Sequence, residues 1–138
     1  MRASVHKPFL HLKKRFQFLT VSRSGVSLPK HSFVLQFFTH PTKDLAKDLE
    51  ASEDSPLVRF GFTASKKAGG AVQRNRCKRR LRALVQKHLN AINDSLSKPT
   101  DMVFIARTRT ATLPFAALEQ SLQEALGAIR HHEKAKKI

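Results

Sequence analysis

The sequence has one cysteine, Cys77, only ten acidic residues, and no apolar stretch approaching a membrane span. A single thiol excludes a disulfide framework and a thiolate metal site, and it fits a reducing compartment. The longest apolar stretches, such as Phe33-Val34-Leu35 and Phe37-Phe38, fall far short of the ~20 residues that cross a bilayer. No membrane partner is expected. The first 43 residues contain no acid at all, as in a transit peptide, yet no signal-type apolar region accompanies them. A cleaved presequence and a loose basic arm over residues 1–10 both fit, and a cytoplasmic location is expected.

The acids that exist are unevenly placed. Five of the ten (Asp44, Asp48, Glu50, Glu53 and Asp54) share one eleven-residue stretch with a single lysine, which therefore carries −4. With a net charge of +16 for the chain, the other 127 residues carry +20. Such a surface repels itself, and a polyphosphate is the usual partner that relieves the repulsion. At 138 residues the chain is long enough for one domain with a single core, and 41% hydrophobic content with ten Phe argues against wholesale disorder.

The pattern along the chain is mixed. Residues 11–21 suit a short helix, with Leu12, Phe16 and Leu19 recurring at helical steps. Gly25 and Pro29 mark a turn. His31 to Thr39 and Leu57 to Ser65 read as strands, and residues 21–28 as one further candidate. In the second strand Val58, Phe60, Phe62 and Ala64 belong to a core, while Arg59, Gly61, Thr63 and Ser65 form a face that can lie open beneath a ligand. Residues 42–56 form an acidic loop. A long helix spans about 71–93, a short buried strand 102–106, and a last helix runs from Phe115 to about Ile129. Residues 131–138 complete the chain as a basic tail after a single domain over 11–130. The alternation indicates an α-β sandwich.

The long helix carries the strongest signal. From Arg74 to Arg82 there are six cations in nine residues, and no acid follows before Asp94. At about 100° per residue, Cys77, Leu84, Val85, His88, Leu89 and Ile92 gather around Leu81 as a core stripe. Arg76, Arg79, Arg80 and Lys87 point away from it, and Asn75 and Arg82 lie on one flank. Arg74 and Lys78 fall over the stripe itself, at the end where it runs past the core, so they are expected to overhang the sheet. A merely solvated helix mixes signs to gain i, i+4 pairs; like charges at those spacings are penalised until a polyanion arrives. Gly69-Gly70 leaves N–H groups beside Lys66 and Lys67 that suit a phosphate. No Walker spacing is present.

Protein-borne nuclease chemistry has little to work with. The acids outside the loop are Asp94, Asp101, Glu119, Glu124 and Glu133, in no tight motif, and His131-His132 lies in the tail. No catalytic or metal-ligating residue is assigned to this chain. The segments Leu12-Lys13-Lys14-Arg15, Phe18, Phe33-Val34-Leu35 and Arg59 to Lys67 precede Gly69, Ala71-Val72, Arg74 to Arg79, Arg82 and Ile105-Ala106-Arg107. In that order, across residues 11–129, they resemble the protein subunit of bacterial ribonuclease P. Ser-Lys-Lys followed by Arg-Asn-Arg-x-Lys-Arg is the specific part.

The resemblance implies an α-β sandwich on a central four-stranded mixed sheet, with an N-terminal helix, a basic crossover helix and a C-terminal helix. It implies a ribonucleoprotein endonuclease in which the RNA subunit, with Mg²⁺, removes the 5′ leader of precursor tRNA. The partners are then the catalytic RNA and precursor tRNA, with no obligate protein partner. By the same resemblance Lys66, Lys67, Arg74, Asn75, Arg76, Lys78, Arg79 and Arg82 contact RNA. Phe18, Val34, Gln36 and Thr63 line a cleft for the single-stranded leader, with Arg74, Asn75 and Lys78 at its edge. Ser22 and Gln36 stand where the family often has aromatics, and Gly70 where it often has Asn. Each lost aromatic removes a stacking contact of about 1–3 kcal/mol per base, unless Phe16 or Phe38 compensates. The other reading of the charge is a structural RNA-binding protein of a different ribonucleoprotein.

Overall fold

The computed structural model describes residues 9–40 and 58–136, with side chains to Glu133. The acidic loop, most of the basic arm and the last two residues lie outside that range. Chain order is β1 (Leu10–His11), α1 (Arg15–Ser24), β2 (Val26–Pro29), β3 (Phe33–Thr39) and β4 (Val58–Thr63). A 3-10 turn (Lys66–Ala68), α2 (Ala71–Lys87), α3 (Leu89–Asp94) and β5 (Thr100–Ala106) follow, then a second 3-10 turn (Thr108–Ala111) and α4 (Phe115–Lys136).

The strands form one mixed sheet ordered β1-β4-β5-β3-β2. β5 sits at its centre, parallel to β4 and antiparallel to β3. A parallel pair needs a crossover, which α2 and α3 provide. The expected sandwich is therefore present, with the anticipated strand at Val26–Pro29 and a fifth strand in addition. That extra strand, β1, is only two residues long, too short to leave a periodic signal.

Strand alternation sets the two faces. Phe33, Leu35 and Phe37 of β3, Phe60 of β4, and Met102 and Phe104 of β5 are buried in one cluster with Leu81, Leu84 and Ile92 from the crossover and Leu118, Leu122 and Ile129 from α4. The opposite face carries α1, whose Val21 is buried with Leu12 and Val103. The first helix begins later than the periodicity indicates because Leu10–His11 pairs with β4 and Leu12 N–H donates to Phe60 O at 2.8 Å. Gln17 Oε1 accepts from the N–H groups of Lys13 and Lys14 and so caps the helix start. Phe9, at the end of the expected arm, packs on Phe60 and Phe62 at 5.3 and 6.1 Å between ring centroids.

Two other boundaries move for visible reasons. The long helix breaks at His88, whose backbone leaves helical geometry and whose ring Nε2 lies 2.7 Å from Glu119 Oε2 on α4. The last helix continues beyond Ile129 into the residues expected to form a tail. There His132 meets the Phe37 ring edge-on, Arg130 donates to Ser95 Oγ, and Ser97 donates to Glu133. The extension is docked on the core.

Candidate nucleic-acid interface

On the α1 side, strand register lines up three rows of side chains. Thr63, Ile105 and Val34 form one row, Gly61, Val103 and Gln36 the next, and Arg59, Asp101 and Phe38 the third. Phe18 lies on the middle row: a methyl group added at Gly61 would collide with its ring and sit 3.1 Å from Leu12 Cδ1. A glycine at this point lets an aromatic ring settle directly on the sheet. The sequence puts Gly61 on a face that can lie open beneath a ligand, but the occupant at this position is the Phe18 side chain.

The four cleft residues therefore share one surface. Phe18, Val34, Gln36 and Thr63 are each half-buried, so each keeps part of its surface toward solvent. Arg59 does not belong to an open face. It is buried and donates to both carboxylate oxygens of Asp101 at 2.7 Å, while His40 Nε2 lies 2.9 Å from Asp101 Oδ2. Two opposite charges at neighbouring register positions neutralise each other within the sheet. Phe16 is not a second platform in this cleft. It is 62% exposed and lies about 200° around the helix from Phe18. Phe38 packs against the smaller core cluster, with its ring 4.9 Å from His40.

The basic helix starts at the Thr63 end of this surface. Ser65 Oγ accepts from Lys67 N–H at 3.3 Å, and Gly69 adopts a φ of +129°, which favours glycine, to turn the chain into α2. Lys66 and Lys67 are exposed on this turn. Nothing lies within 4 Å of the place where a side chain at Gly70 would begin, so the family's frequent Asn would fit here. The first turn of α2 has no acid, leaving the positive end of the helix dipole uncompensated.

Burial divides the cations of α2. Arg74, Lys78 and Arg80 are partly buried, whereas Asn75, Arg76, Arg79 and Arg82 are exposed. Arg74 Nε is buried with no hydrogen-bond partner among the described residues. The inward placement of Arg74 and Lys78 agrees with the helical wheel. Arg76 is exposed as the wheel expects but is tied down, and Arg80, expected to point away, is partly buried. Arg76 Nε donates to Ala111 O at 2.9 Å, and Arg80 donates to Thr110 O and Leu113 O, both at 2.6 Å. Burial, and then the neighbouring Arg76, lowers the pKa of Arg80. These guanidiniums hold a turn thirty or more residues away, with backbone carbonyls as acceptors; no sequence pattern announces such a contact. Cys77 is buried between them, and burial pushes its thiol pKa up, away from reactivity.

Among the described residues the donor set does not fit a protein-held Mg²⁺. Among the described residues no three His, Cys, Asp or Glu side chains converge. Asp101 is engaged by Arg59 and His40, and Glu119 by Lys87 and His88. Nor is any helix there long and apolar enough to cross a membrane. What the surface offers is an aromatic ring on a half-open sheet face, with a run of cations at one end.

Comparison with known proteins places this arrangement. The model of the Ribonuclease P family matches residues 7–130. The Ribonuclease P protein component of Desulforamulus reducens is 36% identical over 128 residues, 93% of this chain and 98% of that one. That of Helicobacter pylori is 34% identical over 136 residues, covering 91% and 80%. Among solved structures, the RNase P protein of Staphylococcus aureus superposes with a TM-score of 0.63 at 25% identity, covering 88% of this chain and 95% of that one. The Thermotoga maritima RNase P protein shares the fold, with a TM-score of 0.62 at 23% identity over 84% and 94%. The chain belongs to the ribonuclease P protein family.

Proposed function

We propose that this protein serves ribonuclease P by dividing its cations between two RNAs: Arg74 and Lys78 face the 5′ leader of precursor tRNA, and Arg79 and Arg82 face the catalytic RNA. As a member of this family the chain is the protein part of an endoribonuclease that matures tRNA 5′ ends, with catalysis by the RNA. Its partner is the ribonuclease P RNA. The observation that supports the division is the difference in burial along one helix: Arg74 and Lys78 are half-buried and Arg79 and Arg82 exposed, while Arg80, also half-buried, spends its guanidinium on Thr110 O and Leu113 O.

The leader is held on the α1 side of the sheet. Phe18 stacks a base, Val34 and Thr63 form the floor, Gln36 offers an amide, and Asn75 stands with the inward cations at the edge. Stacking plus phosphate contacts binds single strands without demanding one sequence, which suits a substrate set with many leaders. Lys66, Lys67 and Arg76 extend the basic surface, with Arg76 using its Nη groups because its Nε is already committed. Mg²⁺ is held by the RNA phosphates, where a hard cation finds oxygen ligands.

Two measurements test the reading. Cleavage of precursor tRNA by a bacterial ribonuclease P RNA at low Mg²⁺ is expected to depend on this protein, and the protein alone is expected to cleave nothing. No rescue despite tight RNA binding would move the chain to a purely structural role. Arg74→Ala is then expected to reduce the affinity gained from the leader more than Arg79→Ala does, and Arg79→Ala to weaken assembly with the catalytic RNA more. Equal losses in both assays would end the proposed division.

A further inference from the structure

We propose that the end of the sheet carrying Lys30, His31, Arg107 and Arg109 is a second phosphate-binding surface, whose ligand is the folded catalytic RNA. The proposal rests on the assignment of the chain to ribonuclease P and names a contact surface outside the basic helix and the leader cleft.

The surface is built around the 3-10 turn at Thr108–Ala111. Arg107 Nε donates to Lys30 O at 2.7 Å, tying the turn to the β2–β3 hairpin. Arg109 Nη1 lies 3.1 Å from His31 Nδ1; a guanidinium cannot accept, so the imidazole nitrogen does. Thr108 Oγ1 donates to Lys67 O, which joins the turn to the Lys66–Ala68 segment. Beneath it, Thr110 Oγ1 accepts from Arg107 N–H and donates to Ser32 O, and Ser32 in turn accepts from Ser121. From the side, Arg76 and Arg80 hold the carbonyls of Thr110, Ala111 and Leu113. Three elements therefore clamp one short turn.

That clamping has a consequence for binding. His31, Arg107 and Arg109 are exposed, and Lys30 is partly so. Each of the two arginines uses one nitrogen within the protein and keeps the rest of its donor fork for a ligand. Guanidiniums already oriented lose little freedom when they meet phosphate oxygens. No acid lies within residues 30–32, 65–70 or 107–113, so these segments supply no relief for the repulsion among their own cations. A polyanion supplies it.

The same segments select the kind of RNA. They contain no Phe, and the chain has no Trp or Tyr. A single strand is gripped by stacking as well as by charge, and this surface offers only cations and one small imidazole, already held by Arg109, in a rigid pattern. Folded RNA presents phosphates at fixed positions and keeps its bases stacked internally. The leader therefore belongs to the Phe18 face, and the catalytic RNA to this end of the sheet, continuous through Lys67 with the start of the basic helix.

The test pairs two substitutions that remove charge while sparing Arg107, whose Nε holds the hairpin. Lys30→Gln with Arg109→Gln is expected to reduce the slope of log affinity against log salt, for the catalytic RNA, by about 2. The affinity ratio of the holoenzyme for precursor with and without its leader should stay unchanged. Lys30→Arg with Arg109→Lys restores charge in altered shape and should restore the slope, which separates lost phosphate contacts from a damaged fold. An unchanged slope overturns the proposal, as does a reduced leader ratio with intact affinity for the catalytic RNA. If the unaltered protein failed to bind the catalytic RNA at all, the family-based reading would fall, and this proposal with it.

Discussion

The two faces of the sheet are made from alternate residues of the same three strands, yet they have opposite characters. Toward α2 and α4 lie Phe33, Leu35, Phe37, Phe60, Met102 and Phe104, all buried beneath two helices. Toward α1 lie Val34, Gln36, Phe38, Thr63 and Ile105, all half-buried, around one small buried cluster of Val103 with Leu12 and Val21 and a pair of buried opposite charges. One helix covers the second face where the first has two. A small domain needs one well-packed core for stability, which leaves the other face for binding. Its apolar content is low enough to stay partly open in water, and its one buried charge pair is satisfied internally.

The largest expected effect comes from attacking the closed face. Phe104→Ala removes a fully buried ring between Phe33 and Phe62, at centroid distances of 5.4 and 5.8 Å. It should cost about 3–5 kcal/mol, a large part of the stability of a domain this size. Denaturant unfolding measures it. Ile105→Ala, one residue along and on the other face, should lose clearly less stability while weakening the leader contribution. Similar unfolding losses from the two would abolish the contrast between the faces.

A smaller effect is expected where the open face is tightest. The methyl of Gly61→Ala has no room while Phe18 keeps its place, 2.9 Å from the ring Cζ. Displacing the ring should cost about 1–3 kcal/mol and reduce leader-dependent affinity, leaving assembly with the catalytic RNA intact. In a Phe18→Ala background the same methyl meets only the flexible end of Leu12, 3.1 Å away, and should cost much less. Such coupling is what a double-mutant cycle measures. Additive losses would mean that Phe18 does not rest on Gly61 in solution.

How far the sequence reveals this protein depends on whether a feature is periodic. The strand at Phe33–Thr39 and the core stripe of α2 are legible because alternation and helical steps repeat over many residues, and the strand read at 102–106 is legible as a short apolar run, though it begins at Thr100. The inward placement of Arg74 and Lys78 follows from the same geometry. β1 is two residues long and leaves no pattern, and Leu10 and His11 read equally well as arm or helix start. The extension of α4 past Ile129 is stabilised by contacts from Ser95, Ser97 and Phe37, distant in sequence. Arg59 presents a particular difficulty. Alternation assigns it correctly to the α1 side, but only the parallel register with β5 reveals Asp101 beside it and closes what looked like an open position. The arginines at 76 and 80 are recognisable as basic, but their carbonyl partners are not, because every residue has a carbonyl.

The smallest expected effect lies at the edge of the closed side, where polar groups join α2 to α4. Glu119 accepts from Lys87 at 2.8 Å and lies 2.7 Å from His88 Nε2. Hydrogen bonds from Lys87 and then His88 hold its carboxyl below the ordinary carboxylate range. A carboxylate whose folded pKa is depressed contributes stability that is present above its unfolded pKa and is lost as pH falls through the folded one. Glu119→Gln should therefore lower the thermal midpoint at neutral pH by less than either preceding substitution, since Lys87 is exposed and the contact is screened by water. As pH falls through the carboxylate range the midpoints of variant and parent should converge, because the parent loses the same charge by protonation. A gap that stays constant with pH would show that shape, not charge, joins the helices there. A shift as large as that of Phe104→Ala would show that the closed side depends on its polar edge as much as on its rings.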